Sequence, residues 1–273
     1  MEVFAVLVLC LTVVAARPDE DIWLRFNRRM PSAYYGLKES IERPPVTGRI
    51  VGGIDANIAD IPYQLSLIRF GSHFCGASII STSWALSAAH CTYPLPSVDA
   101  VALRGGSSSR LDGGTIFSVD LIINHPQYND ITVQNDVCVL RTAQAMQGLH
   151  ITPIQLVPAD TYYPHGTRAV VSGWGLTSVP GTLPVILQMV DIPVIDQATC
   201  RAGWPAGWVT DDMLCASEPG RDACNADSGG PLVTGGRQIG IVSFTHCLGI
   251  EPGVYARVAF PLIRNWITEA TGV

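Results

Sequence analysis

From residue 50 onward the chain alternates short apolar runs with clusters of Gly, Pro, Asn and Ser, the pattern of short strands joined by turns. Residues 63–68, 75–80, 101–104, 116–123 and 137–140 form a first set, predicted to build one barrel. Residues 169–173, 187–192, 231–233, 238–244 and 253–258 form a second set, predicted to build another, and the proline-bearing stretch 157–165 joins the two. Only the C-terminal end reads strongly as helix. There Leu262, Ile263, Trp266, Ile267 and Ala270 fall on one face at helical spacing, with Pro261 near the first turn, and the stripe is expected to pack on a barrel. The N-terminal end differs. Residues 3–16 are an apolar run closing on Val14, Ala15 and Ala16, shorter than the roughly 20 residues of a membrane span; residues 1–16 are read as a secretory signal peptide. Residues 17–49 mix charges with Pro44 and Pro45, bury little, and are read as a pro-peptide that acts mainly as a solvated tether.

Composition narrows the function. With 273 residues, 48% hydrophobic and 15% charged, the chain can bury one large core or two small ones. Its net charge of −6 is unevenly spread: from residue 50 there are ten arginines and no lysine against 17 acids, which leaves −7. An acidic domain with scattered arginines has no basic face for phosphate, so nucleic acid is not expected as a partner, and no later segment reads as a membrane helix. Eight cysteines, none spaced as Cys-x-x-Cys, point to an oxidising compartment and a secreted, extracellular protein.

Candidate chemistry centres on Gly220-Arg-Asp-Ala-Cys-Asn-Ala-Asp-Ser-Gly-Gly-Pro231, in which Ser228 sits between an acid and two glycines. A lone hydroxyl is a poor nucleophile and needs a base, an orienting group and an anion site. His90, in Ala88-Ala-His-Cys91, offers the base, and Asp136, in Gln134-Asn-Asp-Val137, the orienter. The order is therefore His, Asp, Ser. With Arg49-Ile-Val-Gly-Gly53 and Val171-Ser-Gly-Trp-Gly175, these residues resemble the chymotrypsin/trypsin family of serine proteases over the whole chain after residue 49.

The resemblance implies an all-β fold of two six-stranded antiparallel Greek-key barrels with a C-terminal helix, occupying residues 50–273. It implies that His90 and Asp136 come from the first barrel and Ser228 from the second, with the N–H groups of Ala226 and Ser228 as oxyanion hole. Disulfides Cys75–Cys91, Cys200–Cys215 and Cys224–Cys247 are carried over in the same way; Cys10 leaves with the leader, and Cys138 is left as a buried small hydrophobe. Cleavage after Arg49 by a trypsin-like protease frees Ile50, whose ammonium pairs with Asp227. Asp222 lies at the base of the specificity pocket, lined also by Ala223, Asn225, Ser243, Phe244, Thr245 and Gly253, and calls for Arg or Lys in the substrate. No role falls to His73, His125, His150, His165 or His246. No cofactor or metal is expected, since residues 104–115 hold the single acid Asp112 where a calcium loop needs several oxygens.

Two departures stand out. Ala226 replaces the family's glycine at a position of positive φ, which a Cβ disfavours by about 1–2 kcal/mol. Thr245 adds a side chain where glycine is usual and is expected to narrow the pocket mouth or the neighbouring subsites. The reading is a secreted zymogen of a serine endopeptidase cleaving after Arg or Lys, monomeric, acting on proteins and peptides, subject to protein inhibitors, and digestive in character. Chymotrypsin- or collagenase-like specificity, or a non-catalytic homologue that serves as a binding protein, stay open.

Overall fold

A computed structural model describes residues 51–273 other than Pro94, Pro96, Val179 and Leu248. The expected signal peptide, the pro-peptide, Arg49 and Ile50 lie outside the described residues.

After the two-residue strand β1 (Ile54–Asp55) the chain forms β2 (Gln64–Arg69), β3 (Ser72–Ile79) and β4 (Trp84–Ser87), then a single-turn helix α1 (Ala89–Thr92). Strands β5 (Val101–Gly105), β6 (Thr115–Asn124) and β7 (Cys138–Thr142) complete a closed antiparallel barrel in the order β2-β3-β4-β7-β6-β5. A short β8 (Gln155–Leu156) leads to β9 (Arg168–Gly173), β10 (Gln188–Ile195), helix α2 (Gln197–Ala202), β11 (Met213–Ala216), β12 (Pro231–Thr234), β13 (Arg237–Phe244) and β14 (Gly253–Arg257). Here β9-β10-β11-β14-β13-β12 closes on itself through pairings of β9 with both β10 and β12. Strand β1 adds to β10, and β8 runs parallel to β13. The chain ends in α3 (Pro261–Thr271), stopped by Gly272 in the left-handed conformation.

The two-barrel, all-β expectation holds, and its gaps have causes. Strands β4 and β11 each supply the sixth strand of a barrel but are only four residues long, too short to display an alternation. Helices α1 and α2 are equally illegible as periodic patterns; α2 is fixed by its cap, the Asp196 carboxylate accepting the Thr199 N–H at 2.9 Å. The C-terminal stripe is narrower than expected: Ile263 and Ile267 are fully buried, but Leu262 is 44% exposed, because it sits in the first turn on the edge of the packed face.

The strands have two buried faces with different chemistry. On β2, Leu65 and Leu67 fill the barrel core, while Gln64 points toward the second barrel and its Oε1 accepts the Ser172 hydroxyl of β9 at 2.7 Å. The mirror arrangement joins β3 to β13, where Gln238 Oε1 accepts the Ser78 hydroxyl at 2.6 Å. Each glutamine donates its amide back to its own strand, to Leu65 and Gly240 carbonyls respectively. All four side chains are buried, so these hydrogen bonds join the barrels without a charged group. Replacing Ser172 by Ala strands Gln64 Oε1 and is expected to lower stability by about 1–3 kcal/mol. Urea unfolding should show that loss, and the double variant Gln64→Leu/Ser172→Ala should recover most of it; a silent Ser172→Ala sinks the assignment.

Candidate active site

The register of β4 against β7 sets Ser87 opposite Cys138. Three residues past the end of β4 and two before the start of β7, His90 and Asp136 therefore come side by side. The Nδ1–H of His90 donates to Asp136 Oδ2 at 2.7 Å, and the His90 backbone N–H donates to Oδ1 at 2.9 Å. A third donor arrives from the other barrel: the Ser243 hydroxyl reaches Oδ2 at 2.6 Å. His90, Asp136 and Ser243 are all buried, and His90 Nε2 is left with no hydrogen-bond partner among the described residues. A carboxylate so held fixes the Nδ1–H tautomer, which makes Nε2 the basic nitrogen. Cys138 lies free and buried behind this pair, its thiol 3.3 Å from the Ala88 carbonyl and pushed up to about 12 by burial, so it acts as packing.

Ser228 is brought to the same place through its backbone. Its carbonyl accepts the Gly76 N–H at 2.7 Å and lies 3.8 Å from Cys91 Sγ, next to His90. The Cys75–Cys91 disulfide ties β3 to α1 at this point. Among the described residues Cys75, His90 and Cys91 also approach as a possible metal trio, but both sulfurs are spent in the disulfide. In the turn that carries Ser228, the N–H groups of Asp227, Gly229 and Gly230 bond to the carbonyls of Cys224, Val242 and Asp227. The N–H groups of Ala226 and Ser228 have no such partner among the described residues, and unpaired donors in a turn form a ready anion site.

Ala226 has φ +74°, the conformation that a Cβ disfavours. Its carbonyl is gripped from 153 residues away: His73 Nε2–H donates to it at 3.0 Å, while His73 Nδ1 accepts the Ser66 hydroxyl at 2.7 Å. Burial lowers His73 to about 4, and its ring stands edge-on to Trp174, so the imidazole is a neutral spacer. Sequence reading gave this histidine no role; nothing in its own neighbourhood marks it, because its partner lies in the other barrel.

Asp227 is fully buried, accepting the N–H groups of Gly175 at 2.7 Å and Cys224 at 3.0 Å. Burial lifts its carboxyl to about 7 against the pull of those two donors. The Ser-Gly-Trp-Gly motif makes the space: a Cβ on Gly173 would fall 3.2 Å from the Asp227 Cγ, and one on Gly175 would fall 2.7 Å from Oδ1.

Asp222 is also fully buried, and desolvation holds its carboxyl well above the usual range, opposed by Thr245 and by the N–H groups of Ala223 and Gly249. Gly253 faces it, where a Cβ would stand 3.0 Å from the Ala216 carbonyl and 3.3 Å from the Asp222 Cγ. Ala223 is buried beside Asp222, Asn225 is half-buried, and its carbonyl accepts the Leu176 N–H at 2.8 Å. Phe244 packs under the edge of Trp204, their rings 5.0 Å apart. The Cys224–Cys247 disulfide joins the two sides of this region, and Cys200–Cys215 anchors α2 to β11. Thr245, expected to narrow the pocket mouth or the neighbouring subsites, has its hydroxyl donating to Asp222 Oδ2.

The whole arrangement has relatives. The trypsin family model matches residues 50–267. The chain is 44% identical to trypsin epsilon of Drosophila erecta over 82% of its own length and 88% of the relative's. It is 39% identical to trypsin alpha-4 of Lucilia cuprina, over 83% and 89% of the two chains, and 36% identical to trypsin 5G1 of Aedes aegypti, over 83% and 86%. A buried His–Asp pair beside a serine turn with free N–H groups, on two closed barrels that match this model along nearly all their length, places the chain in the trypsin family of serine endopeptidases.

Proposed function

We propose that the protein is a secreted zymogen which, once cut between Arg49 and Ile50 by a trypsin-like protease, hydrolyses proteins and peptides after Arg and Lys. The observation that carries the chemistry is the Asp136 carboxylate taking three donors, two of them from His90, while Nε2 stays open. In the reaction, Ser228 Oγ gives its proton to Nε2 and attacks the scissile carbonyl. The oxyanion is received by the N–H groups of Ala226 and Ser228, each worth about 2.7–4 kcal/mol of transition-state stabilisation. His90 then protonates the leaving amine, and a water, deprotonated by the same nitrogen, releases the acyl group from Ser228.

Asp222 supports the choice of substrate. A buried acid lifted by desolvation is satisfied by an incoming guanidinium or ammonium, and an apolar side chain leaves it unpaired. Ser243 and Phe244 end strand β13 and are suited to pair with an extended substrate. Three disulfides and the apolar residues 3–16 support secretion to the extracellular space, with 1–16 as signal and 17–49 as pro-peptide. The relatives' shared name, trypsin, suits the digestive role proposed here, and the protein is proposed to act as a monomer subject to protein inhibitors.

Cutting the recombinant chain at Arg49, removing the cutting enzyme and assaying Arg, Lys, Phe and Leu chromogenic peptides should give turnover on the first two. Turnover on Phe or Leu alone removes Asp222 from its role; no turnover together with no labelling of Ser228 by an organophosphonate leaves a binding protein.

Activation carries a definite pH sign. In the uncut chain the Asp227 carboxyl titrates at about 7, above the ordinary 3.8, so its burial lowers stability progressively as pH rises between those values. The Ile50 ammonium offsets this, and pairing raises the amine above its ordinary value of about 8. Its contribution is complete below that ordinary value and is lost as pH rises through the raised one. The cut enzyme should therefore lose kcat/KM reversibly on the alkaline side, with its circular dichroism retained; a flat profile to pH 11 contradicts the pairing.

Ala226→Gly should relieve a strain of about 1–2 kcal/mol, raising the amidase rate and tightening inhibitor binding. If both are untouched by the substitution, Ala226 is no handicap.

A further inference from the structure

The Thr245 side chain turns toward the pocket acid. Its hydroxyl accepts the Cys247 N–H at 3.1 Å and donates to Asp222 Oδ2, so both of its hydrogen-bonding roles are defined by fixed partners. The side chain is 3% exposed and Asp222 0%. The segment is held from both ends: Ser243 is bonded to Asp136, and Cys247, at φ +66°, is joined to Cys224, two residues after Asp222. Thr245 is therefore part of the wall and cannot swing aside freely. Asp222 Oδ1, by contrast, has no hydrogen-bond partner among the described residues and lies against Gly253, whose lack of a Cβ leaves it room.

Resting on the reading that Asp222 receives the substrate's cation, we propose that Thr245 is a specificity-determining residue that occupies Asp222 Oδ2 and leaves the substrate Oδ1 alone. The two cations differ in what they require. A guanidinium or amidinium presents two N–H donors abreast and gains most from a carboxylate with both oxygens open. An ammonium is a compact point charge that one oxygen satisfies, and its second donor can turn to the remaining lone pair of the Thr245 hydroxyl. The resident hydroxyl thus penalises the forked cation and spares the single-point one, moving the enzyme from strong arginine preference toward lysine.

Two probes that occupy the pocket without reacting separate these effects: benzamidine, a forked cation, and n-butylamine, a single ammonium. Calorimetric titration of the cut enzyme with each should show that Thr245→Gly tightens benzamidine about tenfold relative to butylamine. Thr245→Ala should act in the same direction, and Thr245→Ser, which keeps the hydroxyl, should keep the wild-type ratio. The ratio of kcat/KM on Arg and Lys peptides should follow. An unchanged ratio in both the Gly and Ala variants, with binding of both probes still abolished by Asp222→Ser, overturns the role of Thr245 and leaves the pocket acid in place. Binding of both probes indifferent to Asp222→Ser overturns the pocket reading itself.

Discussion

The site depends on one carboxylate being satisfied from both barrels. Asp136 is buried beside the first barrel, where an unpaired charge is prohibitively unfavourable, and its donors are the N–H and Nδ1–H of His90 and the hydroxyl of Ser243. Because Ser243 lies in the last two residues of β13, the imidazole's orientation is tied to how the second barrel sits on the first. The same seam carries the two serine–glutamine bonds and the Gly76–Ser228 bond. A nucleophile and a base drawn from separate barrels stay aligned only while that seam is intact, so the neutral hydrogen bonds between barrels belong to the catalytic geometry as much as to stability.

Three of the buried acids, Asp136, Asp227 and Asp222, lie in the site region and are served unequally. Asp136 has three donors in place. Asp227 has two backbone N–H groups and a carboxyl lifted to about 7 by its burial. Asp222 has the Thr245 hydroxyl on Oδ2 and the N–H groups of Ala223 and Gly249 nearby, with Oδ1 left without a hydrogen-bond partner among the described residues. An under-served buried carboxylate is a place where a cation gains more than it would at the surface, since it relieves desolvation as well as adding attraction. Asp227 and Asp222, whose carboxyls are raised by burial, are the two to which the proposed function assigns a cation, the freed amine of Ile50 and the substrate side chain.

Much of this was legible in the chain. The strands and the helix over Ile263 and Ile267 follow from patterns of apolar residues; the His, Asp, Ser order comes from motifs within a few residues of each functional atom, and the two-barrel grouping from the family resemblance those motifs carry. What was not legible depended on long-range closure. Strands β4 and β11 are too short to alternate, and their membership in a barrel is decided by their neighbours' edges. His73 bonds Ala226 across 153 residues, and Ser243 bonds Asp136 across 107, with no local cue in either case. Thr245 was visible as a departure, but whether its side chain points to the mouth or to the acid is set by the turn through Cys247 and its disulfide.

The two departures from the family's glycines fall on opposite ends of one covalent link. Ala226 lies two residues after Cys224, and Thr245 two residues before Cys247, with the Cys224–Cys247 bond between them. Under the proposed function Ala226 bears on the step in which negative charge develops, because its strained peptide is the assigned oxyanion donor and is held by His73. Thr245 bears, on the same proposal, on the step in which the cation is seated, because it holds one oxygen of the acid assigned to seat it. The Cys224–Cys247 bond ties the two segments together, so both departures sit on backbone that the same cross-link restrains.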